Sequence, residues 1–144
     1  MKRLHIHLSV QDLDKNINYY TTLFGIQPSK VKEDYAKWML EDPKLNFAIS
    51  TRSDKVGLDH LGIQVESDKD LKALQANMKA ANDDIKEEIG EGCCYSVSDK
   101  YWSTDPQGIA WEGYHTLNSI PTFNGKEESV ASNNACCAPQ KGCC

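Results

Sequence analysis

The sequence predicts an α+β fold in which two βαβββ modules share one cupped mixed sheet, followed by a flexible C-terminal tail. Three observations predict it. Residues 4–10, LHIHLSV, and 59–65, DHLGIQV, both place a histidine five positions before a valine. A helix-spaced apolar stripe follows each time: Leu13, Ile17, Tyr20 and Phe24, then Leu71, Leu74, Met78 and Ala81. Each half closes on short strand-like pieces with a matching Asp-Pro turn, DPKL at 42–45 and DPQG at 105–108.

The shared order of elements reads as one unit written twice, roughly 3–51 and 58–116, with TRSDKVG at 51–57 as the joint. Together they form one domain, 1–116. In the first strand Leu4, Ile6, Leu8 and Val10 make the apolar face, leaving His5, His7 and Ser9 opposite. The first helix stops at Gly25, a natural C-terminal residue. The strand of the second module sets Leu61, Ile63 and Val65 against His60, Gly62 and Gln64. Its helix starts near Ser67, with Asp70 three residues on in a capping-box-like arrangement. In the last strand Glu112 shares a face with Ala110 and Tyr114, while Trp111 and His115 point the other way. From Leu117 the chain is polar and aperiodic, so 117–144 is expected to be a flexible tail.

Composition narrows the function. A net charge of -5 argues against a nucleic-acid partner. No apolar run approaches the ~18–20 residues that span a bilayer, and MKRLHIHLSV is not a signal peptide. A cytoplasmic protein with reduced thiols is expected. All six cysteines stand in adjacent pairs, Cys93–Cys94, Cys136–Cys137 and Cys143–Cys144. Neighbouring cysteines make poor disulfide partners because their side chains diverge, so soft-ligand chemistry explains the pairing better.

If the apolar faces meet the helices, His5 and His60 both look into the concavity of the sheet. Glu112, flanked by Ala110, Trp111 and Gly113, needs a positive partner there. Two histidines and a glutamate converging in a cup suit a divalent metal, iron(II) in particular, with positions open for oxygen and substrate. His7 shares the face of His5 and is its rival; the repeat alignment favours His5. His115 is expected at the surface or in the core, and Lys100 in solvent. Gly90 and Gly92 give the segment before the first cysteine pair the freedom of a closing loop. Tyr95, Tyr101 and Trp102 are candidates to wall the pocket.

Several stretches carry a resemblance over residues 1–116: the first strand with His5, YYTTLFG (19–25), LDHLGIQVE (58–66), CCYSVSDKYW (93–102) and DPQGIAWEGY (105–114). The chain resembles the vicinal oxygen chelate superfamily of glyoxalase I, extradiol dioxygenases and bleomycin-resistance proteins. Within it, the pattern is similar to the organoarsenical C–As lyases and the related cadmium-induced proteins. The resemblance implies an Fe(II)-dependent enzyme that uses dioxygen to cleave trivalent methyl or aromatic arsenicals to arsenite, as a monomer or homodimer. It carries the metal ligands over to His5, His60 and Glu112, and the arsenic-binding thiols to Cys93 and Cys94. Some relatives have glutamine at the first of these positions. A fourth metal position of other superfamily members falls near Ala48 or Ile49, neither of which ligates. The tail pairs Cys136, Cys137, Cys143 and Cys144 would then gather metalloid for the site. The rival readings are a thiol protein that sequesters arsenite or cadmium without turnover, and a glyoxalase-like enzyme.

Overall fold

Each half of the chain folds as β-α-β-β-β. In a computed structural model, which describes residues 1–121, the first half comprises β1 (Lys2–Ser9), α1 (Leu13–Phe24), β2 (Lys30–Lys32), β3 (Tyr35–Glu41) and β4 (Lys44–Ser50). The second comprises β5 (Gly57–Val65), α2 (Asp68–Ala81), β6 (Lys86–Cys93), β7 (Ser96–Thr104) and β8 (Ala110–Ser119). The four tail cysteines lie outside the described residues.

The helices begin and end on local signals. Asp12 caps α1 by accepting from the Lys15 N–H, and Gly25 closes it at φ 69°, in the left-handed region open to glycine. Ser67 caps α2 by accepting from the Asp70 N–H, while its hydroxyl donates to the Asp70 carboxylate.

All eight strands form one sheet in the order β2-β3-β4-β1-β5-β8-β7-β6. β1 runs parallel to β4 and β5 parallel to β8, while β1 and β5 pair antiparallel at the centre. The two halves are related by a pseudo-dyad through the Ile6↔Leu61 pair. On either side of it stand His5↔Gly62 and His7↔His60, which the dyad exchanges. The predicted equivalence of His5 and His60 is therefore built into the strand register.

One face of the sheet carries the helices. Leu13, Ile17, Tyr20 and Phe24 of α1 pack on Val10, Ala36, Trp38, Phe47 and Ile49. Leu71 and Leu74 of α2 pack with Val65 and Tyr101, joined by Ile63, Met78 and Ile85. Burying each large side chain contributes about 1.5–3 kcal/mol. The dyad places Ser103 and Gly113 where the first half has Trp38 and Ile49. Beneath α2 these smaller residues border an apolar cleft of ≈ 300 Å³. The opposite, concave face buries polar groups instead: His5, His7, His60, Asn46, Ser50, Ser98, Lys100 and Glu112.

Two differences from the sequence reading follow from pairing. β8 runs on past 116, because Asn118 and Ser119 remain in register with Val97 and Ser96 of β7. The glycine-flanked segment before Cys93 is strand β6 rather than a loop; Gly90, at φ 63°, sits in a bulge, while Gly92 pairs with Val97.

Candidate metal and thiol site

Strand alternation turns His5 and His60 toward each other across the pseudo-dyad. Their Nε2 atoms lie 3.2 Å apart. Glu112 Oε2, from β8, is 3.8 Å from His5 Nε2 and 3.6 Å from His60 Nε2. Donor atoms sharing one ion at about 2.1 Å have separations of about this size. The remaining ring nitrogens are engaged: His5 Nδ1 donates to the Asn46 carbonyl at 2.9 Å, and His60 Nδ1 to the Asp59 carboxylate at 2.6 Å. These partners assign tautomers that leave both Nε2 atoms as acceptors. Two buried acceptors and a carboxylate oxygen facing one another call for a cation between them, which is the chemical fit to a divalent metal.

For His5 and Glu112 the electrostatics of the metal-free site agree with that fit. Burial pushes the His5 ring down to about 4, with the neighbouring His60 charge adding to the effect. Burial also opposes the charged form of His60, but the Asp59 and Glu112 contacts outweigh it and raise its pKa. For Glu112, burial favours the neutral acid, yet the Lys100 ammonium and His60 hold the carboxyl well below the usual range. Lys100 Nζ is 2.8 Å from Glu112 Oε1. The positive partner that Glu112 needed is thus Lys100. The sequence reading placed it in solvent, but only 3% of it is exposed. The signal was available: alternation in β7 puts Lys100 on the same face as Ser98 and Trp102.

His7, the rival of His5 in the sequence, stands in the same cluster. One ring nitrogen each of His5, His7 and His60 fall within 4.8 Å of one another. Ser50 Oγ holds His7 Nε2 at 3.0 Å, and burial pushes the ring down to about 3. Ala48, the non-ligating residue anticipated at a fourth position, is fully buried beside it.

Cys93 ends β6, and Cys94 and Tyr95 form the two-residue turn into β7. Both turn residues have positive φ, 55° and 60°, conformations that cost most residues energy and concentrate at functional sites. This backbone overturns the expectation that the two thiols diverge. In a regular strand they would point to opposite faces, but the left-handed turn swings Cys94 round until the Sγ atoms are 3.1 Å apart. Neither is part of a disulfide. Lys37, Lys100 and Glu112 line the same small cavity as the cysteines, with Tyr35, Tyr114, His5 and His7. Its volume, ≈ 30 Å³, is room for about one water molecule. The larger apolar cleft lies on the helix side and holds none of the histidine or cysteine side chains.

The three candidate wall aromatics separate. Tyr95 packs beside Cys93, Tyr35 and Ala48, and its hydroxyl donates to Asp34. The Trp102 ring meets His60 edge-on at 5.0 Å, supporting it from behind. Tyr101 faces the helices and is no part of the site; odd and even positions of β7 point to opposite sides of the sheet. His115 is half-buried and bonds Asp68 at the start of α2.

The fold and the concave cluster together define the class. The chain belongs to the glyoxalase/bleomycin resistance protein/dioxygenase superfamily, whose sequence profile matches residues 2–112. More particularly, it is 40% identical over 150 residues to the trivalent organoarsenical cleaving enzyme of Bacillus sp. strain MD1, covering 96% of this chain and 92% of that protein. It is 34% identical over 145 residues to the cadmium-induced protein CadI of Mycobacterium tuberculosis strain H37Rv, covering 97% and 95% of the two chains. Among solved structures it resembles an extradiol ring-cleaving dioxygenase from B. fuscum, with a TM-score of 0.61 at 18% identity over 82% of this chain and 33% of that one. That last likeness concerns the fold alone.

Proposed function

We propose that this protein is an Fe(II)-dependent, dioxygen-using lyase that cleaves the carbon–arsenic bond of trivalent organoarsenicals and releases arsenite. One observation carries the reading: His5 and Glu112, which form a triangle with His60, border the same buried space as the two converged thiols of Cys93 and Cys94. A name such as that of the Bacillus sp. relative supports the substrate class.

The chain's own groups have distinct tasks. Trivalent arsenic is soft and thiophilic. Each thiol displaces one hydroxyl from the arsenic, giving an As–S bond and water. The second displacement is intramolecular and so favoured by effective concentration. A methylarsonous substrate then keeps one remaining arm, the As–C bond, held toward the histidines. His5, His60 and Glu112 would hold the iron, with Asn46 and Asp59 fixing the two rings. When bound, iron(II) supplies open coordination positions and one-electron chemistry for dioxygen. Lys100 keeps Glu112 ionised and presents a buried positive charge beside the reacting space. Tyr35 and Tyr114 help exclude water. Holding the reactants together in this way lowers the barrier by up to several kcal/mol.

The test is arsenite release from methylarsonous acid by iron-loaded protein, without and then with air. Release that persists without oxygen refutes the chemistry. A thiol trap without turnover would survive Glu112→Ala, whereas the proposed enzyme loses both its iron and its activity.

A further inference from the structure

The pseudo-dyad exposes a complementary pair of positions flanking the metal triangle. In the second half, Gly62 of β5 stands in register with Glu112 of β8. A Cβ on Gly62 would lie 2.6 Å from the Glu112 carbonyl oxygen, so glycine is what permits so close an approach by the Glu112 strand. The dyad turns Gly62 into His7 and Glu112 into Ala48, which are likewise in register, between β1 and β4. Each half thus has one small residue and one residue of a type able to ligate metal at this place, in opposite order. Where the first half lacks a carboxylate on its fourth strand, it has an imidazole on its first.

His7 also shows an unmet bonding need. It is 2% exposed, Ser50 occupies its Nε2, and its Nδ1 is buried with no hydrogen-bond partner among the described residues. An orphaned ring nitrogen in the interior is costly unless something bonds it. One nitrogen of His7 lies within 4.8 Å of those of His5 and His60. Nε2 meets Ser50, and Nδ1 is the ring nitrogen left without a partner among the described residues.

We infer that His7 is a fourth protein ligand of the metal centre, binding through Nδ1 and filling in the first half the place that Glu112 fills in the second. The inference rests on the metal reading of the proposed function. It would make the protein's donor set three histidines and one carboxylate.

Co(II) titration of metal-free protein tests it, followed by the visible absorption of the bound ion. His7→Gly should weaken Co(II) binding by ~10-fold or more and shift the absorption bands. His7→Gly combined with Ala48→Glu, which gives the first half the arrangement of the second, should recover affinity. Wild-type affinity and an unchanged spectrum in His7→Gly would overturn the inference. Because that variant could lose its fold, the wild-type chain supplies a second measurement: on Zn(II) addition the ¹⁵N resonance of His7 Nδ1 should move, as should those of His5 and His60 Nε2. A His7 Nδ1 resonance that stays put while the other two move sinks the fourth ligand and leaves the three-residue site standing. If Glu112→Ala and His60→Ala bind Co(II) like wild type, the underlying metal reading fails instead.

Discussion

Lys100 decides whether Glu112 can remain an anion inside the cup. The pair is buried on both sides, with the ammonium 2.8 Å from the carboxylate. Removing one partner strands the other charge, which typically costs about 3–5 kcal/mol. Lys100→Met should therefore lower unfolding stability by that amount in urea titration, and Lys100→Met with Glu112→Gln should recover much of it. Full stability in the single variant would mean that the charges are not coupled. The histidines predict a pH dependence. Unfolded, His5 and His7 take up protons near 6.5; folded, they do so only near 4 and 3, because burial favours the neutral rings. The metal-free chain holds this stability above pH 6.5 and loses it as pH falls through those folded values. For His5 alone the drop from 6.5 to about 4 corresponds to about 3 kcal/mol. His60, whose pKa is raised, has the opposite sign: its contribution is complete below 6.5 and is lost only as pH rises through its folded value. Urea midpoints should thus decline between pH 6.5 and 4, and a flat profile over that range would contradict buried neutral rings.

At the scale of elements, two glycines look alike in sequence and differ in what surrounds them. A Cβ at Gly62 meets the backbone of Glu112 at 2.6 Å, so Gly62→Ala must push β8 away from β5. A Cβ at Gly113 meets Leu74 Cδ2 and Met78 Sδ at 2.8 Å, the ends of flexible side chains beside an apolar cleft into which they can turn. Gly62→Ala should cost more stability than Gly113→Ala, by about 1–3 kcal/mol, and should weaken metal binding, while Gly113→Ala leaves metal affinity unchanged. Equal losses in thermal melts and metal titrations would mean that strand spacing does not set the position of Glu112. The end of α1 and the start of α2 were legible because Gly25 and Ser67 act on backbone within a few residues. The cysteine turn was not. Cys94 and Tyr95 carry none of the Asn-Gly signature that announces two successive positive φ values, so the convergence of the thiols had no local signal.

Across the whole molecule, duplication was legible and the contact between its halves was not. His5, His60 and Glu112 could be placed on one face by strand alternation alone. The Lys100–Glu112 pair and the seat of the cysteine turn depend on how far the sheet curls, and no periodicity encodes that. The curl carries the Cys94–Tyr95 turn of the second half against the first. Tyr95 donates to Asp34, in the β2–β3 turn, and Lys30 Nζ of β2 donates to the Tyr95 carbonyl at 3.0 Å and to Ser119 of β8 at 2.8 Å. Arg52, in the joint between the halves, pairs with the same Asp34. Opposite ends of an eight-stranded sheet are thereby fastened together beside the thiols. A cavity of ≈ 30 Å³ is narrow for an organoarsenical, so opening of the fastening would ease access to the buried Cys93. Hydrogen bonds to a charged group contribute about 1.5–3 kcal/mol, and about 1.4 kcal/mol is a tenfold change in an equilibrium. Asp34→Ala should therefore raise the open population and speed the reaction of Cys93, now 4% exposed, with an aromatic disulfide reagent by about tenfold or more. A Cys94, Cys136, Cys137, Cys143 and Cys144 to Ser background removes the signal of the other thiols. In that background, an unchanged Cys93 rate in Asp34→Ala would show that the turn opens by a route independent of its seat on the first half.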